Sequence, residues 1–83
     1  MRVNYKGRAN GYDYRIAEIY YEDRELRVLE RIIQLMGIYG YQIVNSVEGW
    51  AYCEVSDLEE YKEFMWAWKK AKKCIANCEK FGF

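Results

Sequence analysis

Apolar residues in this 83-residue chain repeat with two different periods, and the period switches twice from short to long. A period of two lines one face of a β-strand, and a period of 3.6 lines one stripe of an α-helix. Each switch therefore marks a passage from strand to helix. Residues 1–6 and 12–21 (YDYRIAEIYY) are rich in strand formers. Between them lies Gly7-Arg8-Ala9-Asn10-Gly11, a turn cluster ending in Asn-Gly, so the two segments read as a hairpin. In the second segment Tyr14, Ile16, Glu18 and Tyr20 point one way, with Arg15, Ala17, Ile19 and Tyr21 the other. From Arg24 to Tyr39 the period is helical. Val28, Leu29, Ile32, Ile33, Leu35, Met36 and Tyr39 share one face, Asp23 fits the N-cap, and Gly37 and Gly40 mark the end.

The second half repeats the plan. Tyr41 to Val47, Glu48-Gly49 and Trp50 to Val55 form a hairpin with a two-residue connection. Strict alternation puts Tyr41, Ile43, Asn45, Val47, Trp50, Tyr52 and Glu54 on one face. Gln42, Val44, Ser46, Ala51, Cys53 and Val55 take the other. The second set is mostly small and suits a sheet surface under close-packed helices, so the Tyr41/Trp50/Tyr52 face is expected to point away from them. Ser56-Asp57-Leu58-Glu59 has the form of a capping box, with a helix following to about Cys78. Its apolar arc is Tyr61, Phe64, Ala67, Trp68, Ala71, Cys74, Ile75 and Cys78. The predicted architecture is α+β in the order ββαββα, one domain over residues 1–83. Four mostly antiparallel strands carry two helices on one face. Leu29, Ile32, Ile33, Met36, Val44, Cys53, Phe64, Trp68 and Ile75 are expected in the core.

Several functional classes find no support in the residues. The chain has no His, which removes the commonest general base and metal ligand at neutral pH. Its acids cluster where the two helices begin, as Glu22/Asp23/Glu25 and Asp57/Glu59/Glu60/Glu63, where they complement helix dipoles. No phosphate-cradling glycine loop or nucleophile elbow is present, so no enzyme, cofactor or catalytic residue is expected. Cys53, Cys74 and Cys78 are three ligands at most and fall at core positions, so they read as reduced buried thiols with no metal. Odd cysteine usage, an N-terminus unlike a signal peptide and no apolar run of about 18 residues predict a complete, cytoplasmic chain without a membrane partner. Thirteen basic and thirteen acidic residues cancel, so any electrostatic partner must be met by a local patch.

Two such patches stand out. Nine Tyr and three Trp exceed what a small core needs, and both residue types suit interfaces. On the second predicted helix, Lys62, Trp66, Lys69, Lys70, Lys73, Asn77 and Lys80 lie within roughly 100° of arc. Cations around an aromatic ring are one way to hold a nucleic-acid strand, although a solvated helix face and dipole compensation account for the lysines equally well. The segment Gly49-Trp50-Ala51-Tyr52-Cys53-Glu54-Val55 resembles the ribonucleoprotein signature of RNA-recognition motifs. That resemblance implies Trp50 and Tyr52 as a base-stacking pair on an open sheet face. Glu48 stands where the signature has a basic residue, Val55 where it has an aromatic, and the family's last strand is missing.

The leading expectation is a non-enzymatic interaction protein that meets a protein or nucleoprotein complex through Tyr41, Trp50, Tyr52 or Trp66. In format it resembles the small inhibitors that phages and mobile elements direct at host machinery, anti-CRISPR proteins among them. Self-association through the open sheet face is a further expectation. The alternative is a single-stranded nucleic-acid-binding module using Lys62, Trp66, Lys69, Lys70, Lys73 and Lys80, or the sheet face.

Overall fold

A computed structural model describes residues 1–7 and 15–80, the last three by backbone alone. Most of the expected first turn (Arg8 to Gly11), together with Tyr14 and the C-terminal Phe81-Gly82-Phe83, lies outside the described residues. The chain runs β1 (Arg2–Lys6), β2 (Ile16–Tyr20), a 3-10 turn (Asp23–Glu25), α1 (Leu26–Ile38), β3 (Val44–Val47), β4 (Trp50–Glu54) and α2 (Leu58–Lys80). The four strands form one sheet in the order β1-β2-β4-β3, with every neighbouring pair antiparallel. This is the α+β, ββαββα arrangement that the two periods predict.

Each helix end has a local cause. Asp23 sits inside the 3-10 turn instead of capping it, and the carboxylate of Glu25 accepts the N–H of Glu22 at 3.0 Å. α1 passes through Gly37 and stops at Tyr39, because Gly40 takes φ +91°. There the N–H of Tyr41 donates to the carbonyl of Met36 and that of Gly40 to Gly37, the paired bonds of a Schellman motif. The motif carries the chain back over the helix end and packs Tyr41 against the core. At the start of α2 the cap lies one residue later than the sequence suggested. Asp57 accepts the N–H of Glu60 at 2.9 Å, while the Glu60 carboxylate reaches back to the N–H of Ser56 at 3.2 Å. The shift places Ser56 before the helix and makes Glu60, not Glu59, the returning acid.

Both helices cover one face of the sheet. Leu29, Ile32 and Met36 of α1 and Phe64, Ala67, Trp68, Ala71 and Ile75 of α2 are buried against Ala17, Ile19, Ala51, Cys53 and Val55. Of the small residues expected under the helices, Ala51, Cys53 and Val55 are there, whereas Gln42, Val44 and Ser46 are exposed. Phe64 stands among aromatics, edge-on to Tyr41 at 5.4 Å and stacked with Trp68 at 6.0 Å between ring centres.

Four expectations need correction. Val44, assigned to the core, is exposed, and Ile43, assigned to the outer face, is buried. Tyr41, expected beside Trp50 and Tyr52, packs inward on Phe64. One irregularity explains all three. Val47 pairs with Trp50 and Asn45 with Ala51, so β3 spends two residues where β4 spends one. This β-bulge inverts the alternation of everything upstream of it in β3. The fourth concerns Cys74, which lies exposed at the edge of the apolar arc of α2, not in the core. Ile33 is partly buried at the rim of the core.

Candidate interaction surfaces

The strand register lays out the face away from the helices as cross-strand rows. One row is Arg2, Tyr20, Trp50 and Val47, and the next is Asn4, Glu18, Tyr52 and Val44. A third, toward the other end, holds Lys6, Ile16 and Glu54. Trp50 and Tyr52 stand two residues apart on β4 with ring centres 5.2 Å apart. Tyr20 lies directly across from Trp50, and the guanidinium of Arg2 sits 5.1 Å from the Tyr20 ring centre. Tyr20, Val44 and Val47 are each more than one-third exposed, while Trp50 and Tyr52 are half-buried by their neighbours. Large apolar groups gathered on a face that no described element covers are the mark of a contact surface.

The face is built, not merely bare. Glu18, 8% exposed, accepts a hydrogen bond from the Tyr20 hydroxyl at 3.0 Å and lies 3.5 Å from the Lys6 ammonium. Both contacts satisfy the buried carboxylate, and the hydrogen bond ties the Tyr20 ring to it. The third row differs in that Ile16 is buried apart from the main core. The accessible aromatic strip is therefore Tyr20, Trp50 and Tyr52 with Val44 and Val47. Its hairpin is tied to β2 by the Tyr21 N–H, which donates to the Gly49 carbonyl at 3.1 Å, and by the Tyr21 hydroxyl on Asn45 at 2.6 Å.

A second, smaller patch lies on the helix layer. Trp66 is 58% exposed and meets Tyr39 edge-on at 6.3 Å, and Ile38, the last residue of α1, is exposed as well. The ammonium of Lys70 rests 4.4 Å from the centre of the Trp66 ring. Lys69, Lys70 and Lys73 are exposed as expected, and Lys62 lies 3.8 Å from Glu59. The side chain of Lys80 is outside the described residues. A cation and an exposed indole thus stand together on α2, the juxtaposition expected from the spacing of its lysines.

A depression of about 390 Å³ opens where Tyr41, Tyr52, Cys53, Glu54 and Glu60 meet. Burial, with Glu60 and Glu54 adding to it, pushes the Cys53 thiol up to about 11, so it stays protonated and unreactive near neutral pH. Burial likewise raises the Tyr41 phenol, helped by Glu63 and Glu60. Among the described residues no three His, Cys, Asp or Glu side chains converge to hold a metal ion. No described helix is long and apolar enough to cross a membrane.

Of the predicted contact residues, the fold brings Trp50 and Tyr52 together, sends Tyr41 into the core and sets Trp66 on the opposite layer. Tyr20 was missed. Its signal was its alternation with Ile16 and Glu18, but which strand would pair with β2 is not written locally. Comparisons with protein-family models, curated proteins and solved structures found no match to this chain.

Proposed function

We propose that this chain is a non-enzymatic protein-binding module whose contact surface is the open sheet face. The observation that supports it is the strip of Tyr20, Trp50 and Tyr52, flanked by Val44 and Val47, on the side away from both helices. Tyr and Trp are the residues that most often dominate binding energy, because they bring large rigid area at little entropic cost. Arg2 at one edge and Glu48 and Glu54 toward the other supply a polar rim. A finer version makes the chain a stoichiometric inhibitor of host machinery, in the style of phage and mobile-element proteins. Its support is format alone: 83 residues, a self-contained α+β fold and no catalytic constellation among the described residues.

The test is affinity capture with the tagged chain, with and without nuclease, beside the Trp50→Ala/Tyr52→Ala double variant. A nuclease-resistant protein partner that the folded double variant loses is the expected result. Undiminished capture by that variant would remove the sheet face from the proposal. Recovery of nucleic acid alone would turn attention to the lysines of α2 and to the signature-like segment of β4.

A further inference from the structure

From the charge layout of this face we infer that the protein it binds is a second copy of the chain, in a two-fold dimer whose axis runs parallel to the strands between β2 and β4. The inference rests on reading the sheet face as a protein interface and goes further by naming the occupant. A surface can be shared by two identical copies only if it is complementary to itself. Rotation about such an axis carries each row of one copy onto the same row of the other, end for end. Tyr20 then lies over Trp50 and Trp50 over Tyr20, so the aromatic pairs form twice. At the same end of the sheet Arg2 comes over Val47, beside the turn residue Glu48.

Charge decides between this arrangement and its rival. Within one copy Arg2 lies on the Tyr20 ring, and neither it nor Glu48 has an ion partner among the described residues. They occupy opposite corners of the same end of the sheet, Arg2 on β1 and Glu48 in the turn joining β3 to β4. The axis along the strands exchanges those corners and makes two reciprocal ion pairs. An axis across the strands would instead lay β1 on β1 and bring Arg2 toward Lys6 of the other copy. Opposite charges on an interface rim select orientation more than they add affinity. The zero net charge of the chain leaves no general repulsion between copies.

The size of the face sets the strength. Four strands about 4.8 Å apart, with five residues of about 3.4 Å each, present roughly 300 Å² in projection. A face this small belongs with the weak and transient interfaces, so reversible association is expected. Dimerisation through the sheet would leave Trp66, Tyr39 and Ile38 on the outer surface of both copies.

Sedimentation equilibrium over a dilution series from micromolar to millimolar tests the inference. The expected result is a monomer–dimer equilibrium, abolished by Trp50→Ala and weakened several-fold by Arg2→Glu. The double charge swap Arg2→Glu/Glu48→Arg should recover association, since the exchanged corners still match. Circular dichroism of each variant shows that the fold is kept, and Arg2→Glu alters an exposed side chain that the core does not need. A chain that stays monomeric throughout, a dimer indifferent to Trp50→Ala, or a double swap that fails to recover would each overturn the two-fold dimer. A monomer that still captures a different protein through Trp50 and Tyr52 would overturn the dimer alone and leave the sheet face as the binding surface.

Discussion

Two glycines three residues apart do opposite work. Gly40 holds φ +91°, a conformation in which a Cβ collides with the neighbouring backbone, and its turn makes both Schellman bonds of α1. Gly37 lies within the helix, exposed, and an added Cβ would meet nothing within 4 Å. There glycine contributes only conformational freedom to the unfolded chain. Gly40→Ala is therefore expected to destabilise the protein by about 1–2 kcal/mol, and Gly37→Ala to stabilise it by about 0.5–1 kcal/mol. Urea unfolding of the two variants checks the signs. A Gly40→Ala variant that lost no stability would show that the turn after α1 is not held by the left-handed glycine. Cysteines divide in the same local way: Cys53 is buried under the helices with its thiol pushed up, whereas Cys74 lies open on α2.

At the scale of elements, what could be read from the sequence was whatever depends on neighbours in the chain. Helix periodicity located Leu29, Ile32, Met36, Phe64, Trp68 and Ile75 correctly, because a helix places its residues by its own geometry. The orientation of Trp50 and Tyr52 was also legible, since β4 is regular from the turn onward. What failed lay upstream of the bulge. One extra residue in β3 turned Tyr41 and Ile43 inward and Val44 outward, and no residue type between 41 and 47 announces it. Tyr20 joined the site through the pairing of β2 with β4, a contact between residues thirty apart in sequence. The start of α2 was misread by one position, because Ser56 and Asp57 are both good caps and both have an acid three residues on. The observed bond selects Asp57. Asp57→Ala should then cost about 1 kcal/mol, within the range for lost N-caps. Ser56→Ala should cost less, since its neighbour still satisfies the helix amide. Thermal melts of the pair decide the register; a larger loss in Ser56→Ala would return the cap to the position first read.

Over the whole molecule, the aromatics divide into those that hold the fold and those that do not, and this division makes the binding proposal testable. Phe64 is wholly buried, touching Tyr41, Tyr61 and Trp68 at the centre of the helix layer. Truncating it leaves a cavity as well as removing transfer energy, at about 3–5 kcal/mol. Chains of this length have about 4–12 kcal/mol of stability in all. Phe64→Ala should consequently remove at least about a quarter of that stability. Trp66 is exposed, with the Tyr39 ring and the Lys70 ammonium against it, so Trp66→Ala should shift stability by no more than about 0.5 kcal/mol. Trp50 and Tyr52 fall between, because their rings shield each other and the sheet beneath without entering the core. Calorimetric unfolding should show the largest loss for Phe64→Ala, by a wide margin, then the Trp50 and Tyr52 variants, and the smallest for Trp66→Ala. If the Trp50 and Tyr52 variants instead lost as much stability as Phe64→Ala, those rings would be structural. Their placement on the open face would then be a requirement of folding, and a contact surface would have to be sought on the helix layer around Trp66.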